Sequence, residues 1–304
     1  MRIVALALCL GLTLFATPAR ADEPAGTALV PVPVPAPDNA PAAPLTWKWS
    51  RFSAANYAVT LTGGAVTLAM AIVKPVPQHK LMGGILFDEA ARDAIRPDDI
   101  TTRYAFRDAS DVGVSLLVTW PFFADALTTA WWFRGSRDAA EQMALIDLET
   151  LAVAGAVQGI TNVVVSRERP YGRDCDTPEL PGAALDCANS SRFRSFFSGH
   201  SAFSFTSAAL ICVHHFKNDL LGAPWDAVSC AGGYGVAAAT AFFRMTGDVH
   251  YASDVLTGAA IGTLIGYGVP LLHYANETGA GARVGDLKLQ LVPVGAGLGV
   301  AGSF

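Results

Sequence analysis

Three short stretches of this 304-residue chain hold residues with chemistry to offer. Ser195-Phe196-Phe197-Ser198-Gly199-His200 reads as a loop entering a helix. Ser198 is a good N-cap, and Gly199 lets backbone approach a ligand closely. His200 falls in the first helical turn, where unpaired N–H groups favour an anion. A hydroxyl and a titratable imidazole at such an end suit phosphate binding and proton transfer. Upstream lies Ser166-Arg167-Glu168-Arg169-Pro170-Tyr171. Downstream, Phe243-Arg244 is followed by His250 and Asp254. At that spacing His250 and Asp254 share a helix face. The carboxylate can hold one ring nitrogen and leave the other to attack. Arg169 and Arg244 supply fork-shaped charge for phosphate oxygens. Each piece alone has an ordinary explanation: a loop before a buried helix, an Arg that ends a helix before Pro, a surface His–Asp pair. Their combination and order carry the weight.

These residues resemble the type 2 phosphatidic acid phosphatase family, whose superfamily includes bacterial acid phosphatases and vanadium haloperoxidases. The family pattern is Lys, six residues, Arg-Pro; then Pro-Ser-Gly-His; then Ser-Arg, five residues, His, three residues, Asp. Arg169-Pro170, Ser198-Gly199-His200, and Arg244 with His250 and Asp254 fit it, spacing included. Asn162 stands in place of Lys, Phe197 in place of Pro and Phe243 in place of Ser. The resemblance covers roughly residues 110 to 272 and implies an all-α helical bundle and a metal-independent phosphatase with no cofactor. It implies His250 as the nucleophile that forms a phosphohistidine, Asp254 as its orienting partner, and His200 as general acid, then base. It implies Arg169, Arg244, Ser198, the Gly199 N–H and, more weakly, Asn162 as the phosphate cradle. An Asn offers only a neutral hydrogen bond where the family has a cation, and Arg167 or Arg173 is a candidate substitute. The substrate expected is a phosphorylated lipid, a phosphate monoester or diphosphate, or a small phosphate ester. Two alternatives stay open: a vanadate-dependent haloperoxidase, and a non-catalytic envelope protein with a weakened site.

The elements that must position these residues are apolar. Hydrophobic residues make up 52% of the chain and charged ones 15%, with a net charge of -5 that gives no hint of nucleic-acid binding. Residues 1–21 read as a signal peptide, with Arg2, an apolar core and a small-residue cleavage signal at Ala19-Arg20-Ala21. Residues 22–46 form a Pro/Ala-rich linker. Residues 47–275 form the phosphatase helical domain, expected as a six-helix, membrane-embedded bundle. Its helices are expected at 57–73, 112–133, 139–165, 201–213, about 227–243 and 253–272, with an amphipathic or irregular segment over 74–111. Trp47 and Trp49 around Lys48 suit either a membrane interface or a buried core, and Trp131-Trp132-Phe133 suits an interface belt. Asp147 and Glu149 should face the bundle or water. Gly258, Gly262, Gly266 and Gly268 suit close helix packing. Residues 276–304 form a tail with a short β-hairpin, since Leu287, Leu289 and Leu291 alternate with polar residues.

Cys175 and Cys187 lie in the loop between two motifs and are expected to pair in an oxidising compartment. Cys212 and Cys230 fall in helices and read as buried thiols. His214-His215 reads as a solvated helix end, and no Cys or His spacing suggests a metal. The expected location is the bacterial inner membrane with the site facing the periplasm; a soluble or peripheral periplasmic protein is the alternative. The span count conflicts with an exported site, because three crossings would precede Arg169.

Overall fold

A computed structural model describes residues 44–75, 81–175, 187–188 and 190–275, and the strand backbone of 282–284, 287–294 and 297–303. The signal peptide, nearly all of the linker and the closing Phe304 lie outside the described residues. Seven α-helices are described: α1 Ala54–Ile72, α2 Asp88–Ile95, α3 Ile100–Trp120, α4 Arg137–Val165, α5 Gly199–Asn218, α6 Trp225–Thr246 and α7 Ala252–Tyr274. The six-helix expectation misses α2 and starts α3 too late. Pro97 breaks the chain, and Asp99 then caps α3 by accepting from Thr102 N at 2.7 Å. The first turns of α3 are polar because Arg103 and Ser110 are buried toward the site end, which hides the helix from a hydrophobicity reading.

Pro121 cannot continue the helical hydrogen bonding of α3. The chain goes on as a π-helix over Pro121–Phe133, with Arg134 N donating to Thr129 O, five residues back. Ser53 and Ser136 cap α1 and α4. α4 ends at Ser166, which takes a left-handed backbone (φ 47°) and sends the chain off toward Arg169.

α5 is the central helix, packed by α3, α6 and α7. Its seam with α7 is made by glycine. A Cβ on Gly258, Gly262 or Gly266 would lie 2.6, 2.3 or 2.5 Å from a backbone oxygen of α5 or of its Ser198 cap. Gly268 faces open space and takes no part. Cys212 of α5 and Cys230 of α6 form a disulfide, correcting the reading as two thiols; Cys175 pairs with Cys187. Helix positions so far apart gave no sequence sign of facing each other.

At the end of the bundle away from His200, Trp49 is buried against Ile146, Val213 and Tyr274, so the core reading holds for it. His214 and His215 are not solvated. His214 lies between Asp147 (2.8 Å) and Tyr274 (2.7 Å), and His215 between Asp226 (2.6 Å) and Asp125 (3.3 Å), all of them buried. The carboxylates that make a buried imidazole pair tolerable come from α4, α6 and the π-helix. Asp147 and Glu149 face the interior.

Among the described residues, four helical stretches are long and apolar enough to cross a membrane: Ala54–Ile72, Ile100–Phe133, Arg137–Asp174 and Ala252–Tyr274. Their outer faces carry exposed Leu61, Leu68, Ile72, Leu264 and Trp132. In the tail, Leu287–Val294 pairs antiparallel with Gly297–Ser303, with Leu291 opposite Val300; Ala282–Val284 adds a third strand on the other side.

Candidate active site

The site lies where α4 and α6 end and α5 and α7 begin. Ser198 is buried and caps α5, its Oγ accepting from Ser201 N at 3.3 Å and from Ser201 Oγ at 3.1 Å. Its own hydroxyl proton is left to donate. Gly199 lies tight against Gln158, whose amide would be 3.3 Å from an added Cβ. His200 is thereby fixed one residue into the helix.

His250 sits just before α7 and is buried. Its Nδ1 donates to the Ser195 carbonyl at 2.8 Å. A carbonyl can only accept, so Nδ1 carries the proton and Nε2 keeps a lone pair. Burial, then Arg169, Arg244 and His200, hold its pKa well below 6.5, so the ring is neutral.

The sequence reading had Asp254 orient this ring. Here Asp254 Oδ2 is 3.9 Å from Nδ1, too long for a hydrogen bond. Asp254 acts one step back. Its Oδ2 accepts from Ser195 Oγ at 2.6 Å and Tyr251 N at 2.9 Å, and so positions the residue that holds His250.

Asp254 is held in turn by Arg167. That guanidinium donates to Asp254 Oδ1 at 2.6 Å, Asp88 Oδ2 at 2.8 Å, Ser253 Oγ at 2.8 Å and Gly83 O at 3.0 Å. It also covers the Tyr251 ring at 4.3 Å. With these partners Arg167 does not stand in for the family's Lys. Arg173 does not either; it pairs with Glu89 on the surface. Asn162 is buried and donates to Phe196 O at 3.3 Å, while Gln158, one turn away, donates to Phe197 O at 3.2 Å. These two amides tie α4 to the loop that carries Ser195 and Ser198.

Arg244 closes the other side. Its Nη1 donates to Ser110 Oγ at 2.9 Å and to Asp111 Oδ1 at 3.1 Å. Burial, then Arg169, push its guanidinium down to about 9, still charged at neutral pH. Asp111 Oδ1 also meets His200 Nε2 at 2.7 Å. Burial and Arg244 push His200 down to about 4, against the pull of Asp111. Arg169, which starts the turn at Pro170–Asp174, acts on all three groups in the same cationic sense. The cluster is therefore short of negative charge, and an anion bound among Arg169, Arg244 and His200 would relieve it.

The structure thus brings together Arg169, Ser198, Gly199, His200, Arg244, His250 and Asp254, and places Asn162 behind the loop. Sequence reasoning missed Asp111, Ser195, Asp88 and Gln158. Only Ser195 had a signal, its place in the loop that leads to the Ser198 cap.

The profile of the PAP2 superfamily matches residues 144–278, a stretch that holds every one of the predicted site residues. The lipid A 1-phosphatase of Porphyromonas gingivalis is 30% identical over 190 residues, which is 62% of this chain. The match covers only 36% of that relative's length. A crystal structure of a transmembrane PAP2 type phosphatidylglycerolphosphate phosphatase from Bacillus subtilis is similar at a TM-score of 0.45 and 18% identity. That likeness covers 71% of this chain and 94% of the other. The matched stretch starts within α4, so α1, α2 and α3, with Asp88 and Asp111, lie ahead of it in the chain.

Proposed function

We propose that this chain is a phosphatase that removes a phosphoryl group from a phosphorylated lipid through a phosphohistidine. The observation that carries the reading is the state of His250: buried, neutral, its Nδ1 proton given to the Ser195 carbonyl and its other nitrogen available beside Arg169 and Arg244. Arg169, Arg244, the Ser198 hydroxyl and the Gly199 N–H would hold the phosphoryl oxygens. His250 Nε2 attacks phosphorus as the bond to the leaving oxygen breaks, and His200 gives that oxygen a proton. A bound phosphate dianion offsets the two arginines and lets His200 keep this proton until then. In the second half His200 takes a proton from water, the water oxygen bonds phosphorus, and the P–N bond electrons return to His250. The arginines supply the charge stabilisation, so the reading needs no metal.

Two observations support a lipid substrate: four stretches fit to cross a membrane, and a relative named for action on lipid A. The reading places the protein in the cell envelope. The Cys175–Cys187 bridge beside the site supports an exported site face, since disulfides persist outside the cytosol. α1 runs alongside α4, from Asn56 at Glu149 to Met70 at Gly159. Residues 44–53 therefore lie at the end away from the site, and an exported site requires them on the cytosolic side if α1 and α4 both cross. Labelling Arg51→Cys with a membrane-impermeant thiol reagent tests this.

The activity test is phosphate release from phosphatidic acid, lipid A and a soluble aryl phosphate side by side, with chelator present. Release from the lipids is the expected result. Halide oxidation with added vanadate and no phosphate release would put the haloperoxidase reading in its place.

A further inference from the structure

Asp111 lies on α3, ahead of the stretch that matches the PAP2 superfamily, and neither its type nor its spacing marks it in the sequence. Its Oδ1 accepts from two groups at once, His200 Nε2 at 2.7 Å and Arg244 Nη1 at 3.1 Å. In the reaction proposed above, Arg244 binds a phosphoryl oxygen and His200 protonates the oxygen that leaves. The point between them belongs to the leaving side of the substrate. A carboxylate oxygen holds that point here, the same charge-assisted contact a substrate oxygen would make. The Asp111 side chain is 60% exposed, whereas that of Arg244 is 6% exposed. Asp111 can therefore turn aside when phosphate arrives, while Arg244 stays in place. Turned aside, it remains on the same helix turn, a negative charge next to the departing group.

The transferred phosphoryl group meets Arg169, Arg244 and a neutral His250. Its leaving group meets Asp111. We propose that Asp111 is a specificity-determining residue that favours phosphate monoesters of neutral alcohols over diphosphates. The inference rests on the phosphatase reading. In a monoester the P–O bond breaks toward an alkoxide that takes the His200 proton and leaves as a neutral alcohol. In a diphosphate the same bond breaks toward a phosphate-terminated lipid, whose negative charge departs against the Asp111 carboxylate.

The test compares initial rates on phosphatidic acid and on diacylglycerol diphosphate, which share one lipid body. Wild type should prefer phosphatidic acid in kcat/KM. Asp111→Asn should raise the diphosphate-to-monoester ratio about tenfold or more, the scale of one like-charge contact removed at a partly exposed site. Asp111→Glu should keep the wild-type preference. In wild type alone, raising salt from about 0.05 M to about 0.5 M should narrow the preference by screening, so the inference is testable even if a variant folds poorly. An unchanged ratio in Asp111→Asn, or an equal loss on both substrates, would overturn it and leave the phosphatase reading standing. Release from neither lipid by wild type would overturn both.

Discussion

Arg167 offers a direct test of how the site is held. Its guanidinium bridges Asp254 at 2.6 Å and Asp88 at 2.8 Å, and all three side chains are fully buried. Breaking a buried ion pair by removing one partner costs about 3–5 kcal/mol, because the charge left behind has no water. Arg167→Met strands two carboxylates and belongs at the upper end of that range. Asp254→Asn leaves Arg167 with Asp88 and belongs at the lower end. For a chain of this size, about 2–4 °C of melting temperature goes with each kcal/mol, so the single variants should melt about 6–20 °C below wild type. The double variant strands only Asp88, so its loss should fall short of the sum by about 1–3 kcal/mol. The assay is thermal unfolding followed by Trp fluorescence in one detergent, at two scan rates to expose irreversibility. Additive losses, within about 0.5 kcal/mol, would refute the bridge. Turnover should fall in all three variants, since Ser195, which holds His250, depends on Asp254.

Four further outcomes follow from the same geometry. His250→Ala should abolish phosphate release in a protein that still folds, and near-normal release would remove it as nucleophile. Because His200 is pushed down to about 4 in the substrate-free protein, its proton-donating form is lost as pH rises past that value, so kcat/KM should be greatest in acid. Burial and the neighbouring Arg169 and Arg244 hold His250 well below 6.5, on the neutral side that a nucleophile needs; a pH–rate profile with an alkaline optimum would contradict His200 as the proton donor. Cys212→Ser removes a bridge that closes an 18-residue separation and should cost about 3 kcal/mol, read as a melting temperature below that of the oxidised wild type. Asn162→Lys should lower KM by restoring a cation near the loop while Arg173→Ala leaves turnover at the wild-type level; a large loss in Arg173→Ala would revive the idea that it compensates for Asn162.

The sequence by itself determined the motif residues, the Ser198 cap and most of the helices, because these depend on contacts within a few positions. A hydroxyl before a helix caps it, and an apolar run with helical spacing buries one face, whatever surrounds them. The all-α domain and the cluster of His200, His250, Arg169 and Arg244 were legible for that reason. The tertiary structure alone decided who touches whom across long separations. Asp111 reaches His200 across 89 positions, and Arg167 reaches Asp88 and Asp254 across 79 and 87. Those partners occupy the Arg167 guanidinium, and the ring of His250 is held by the Ser195 carbonyl rather than by Asp254. The same holds for Cys212 with Cys230 and for the buried His214 and His215, which looked like thiols and a wet helix end until their neighbours were known. A backbone carbonyl or a distant carboxylate leaves no mark on the residues that will meet it, so only the packed chain could show these contacts.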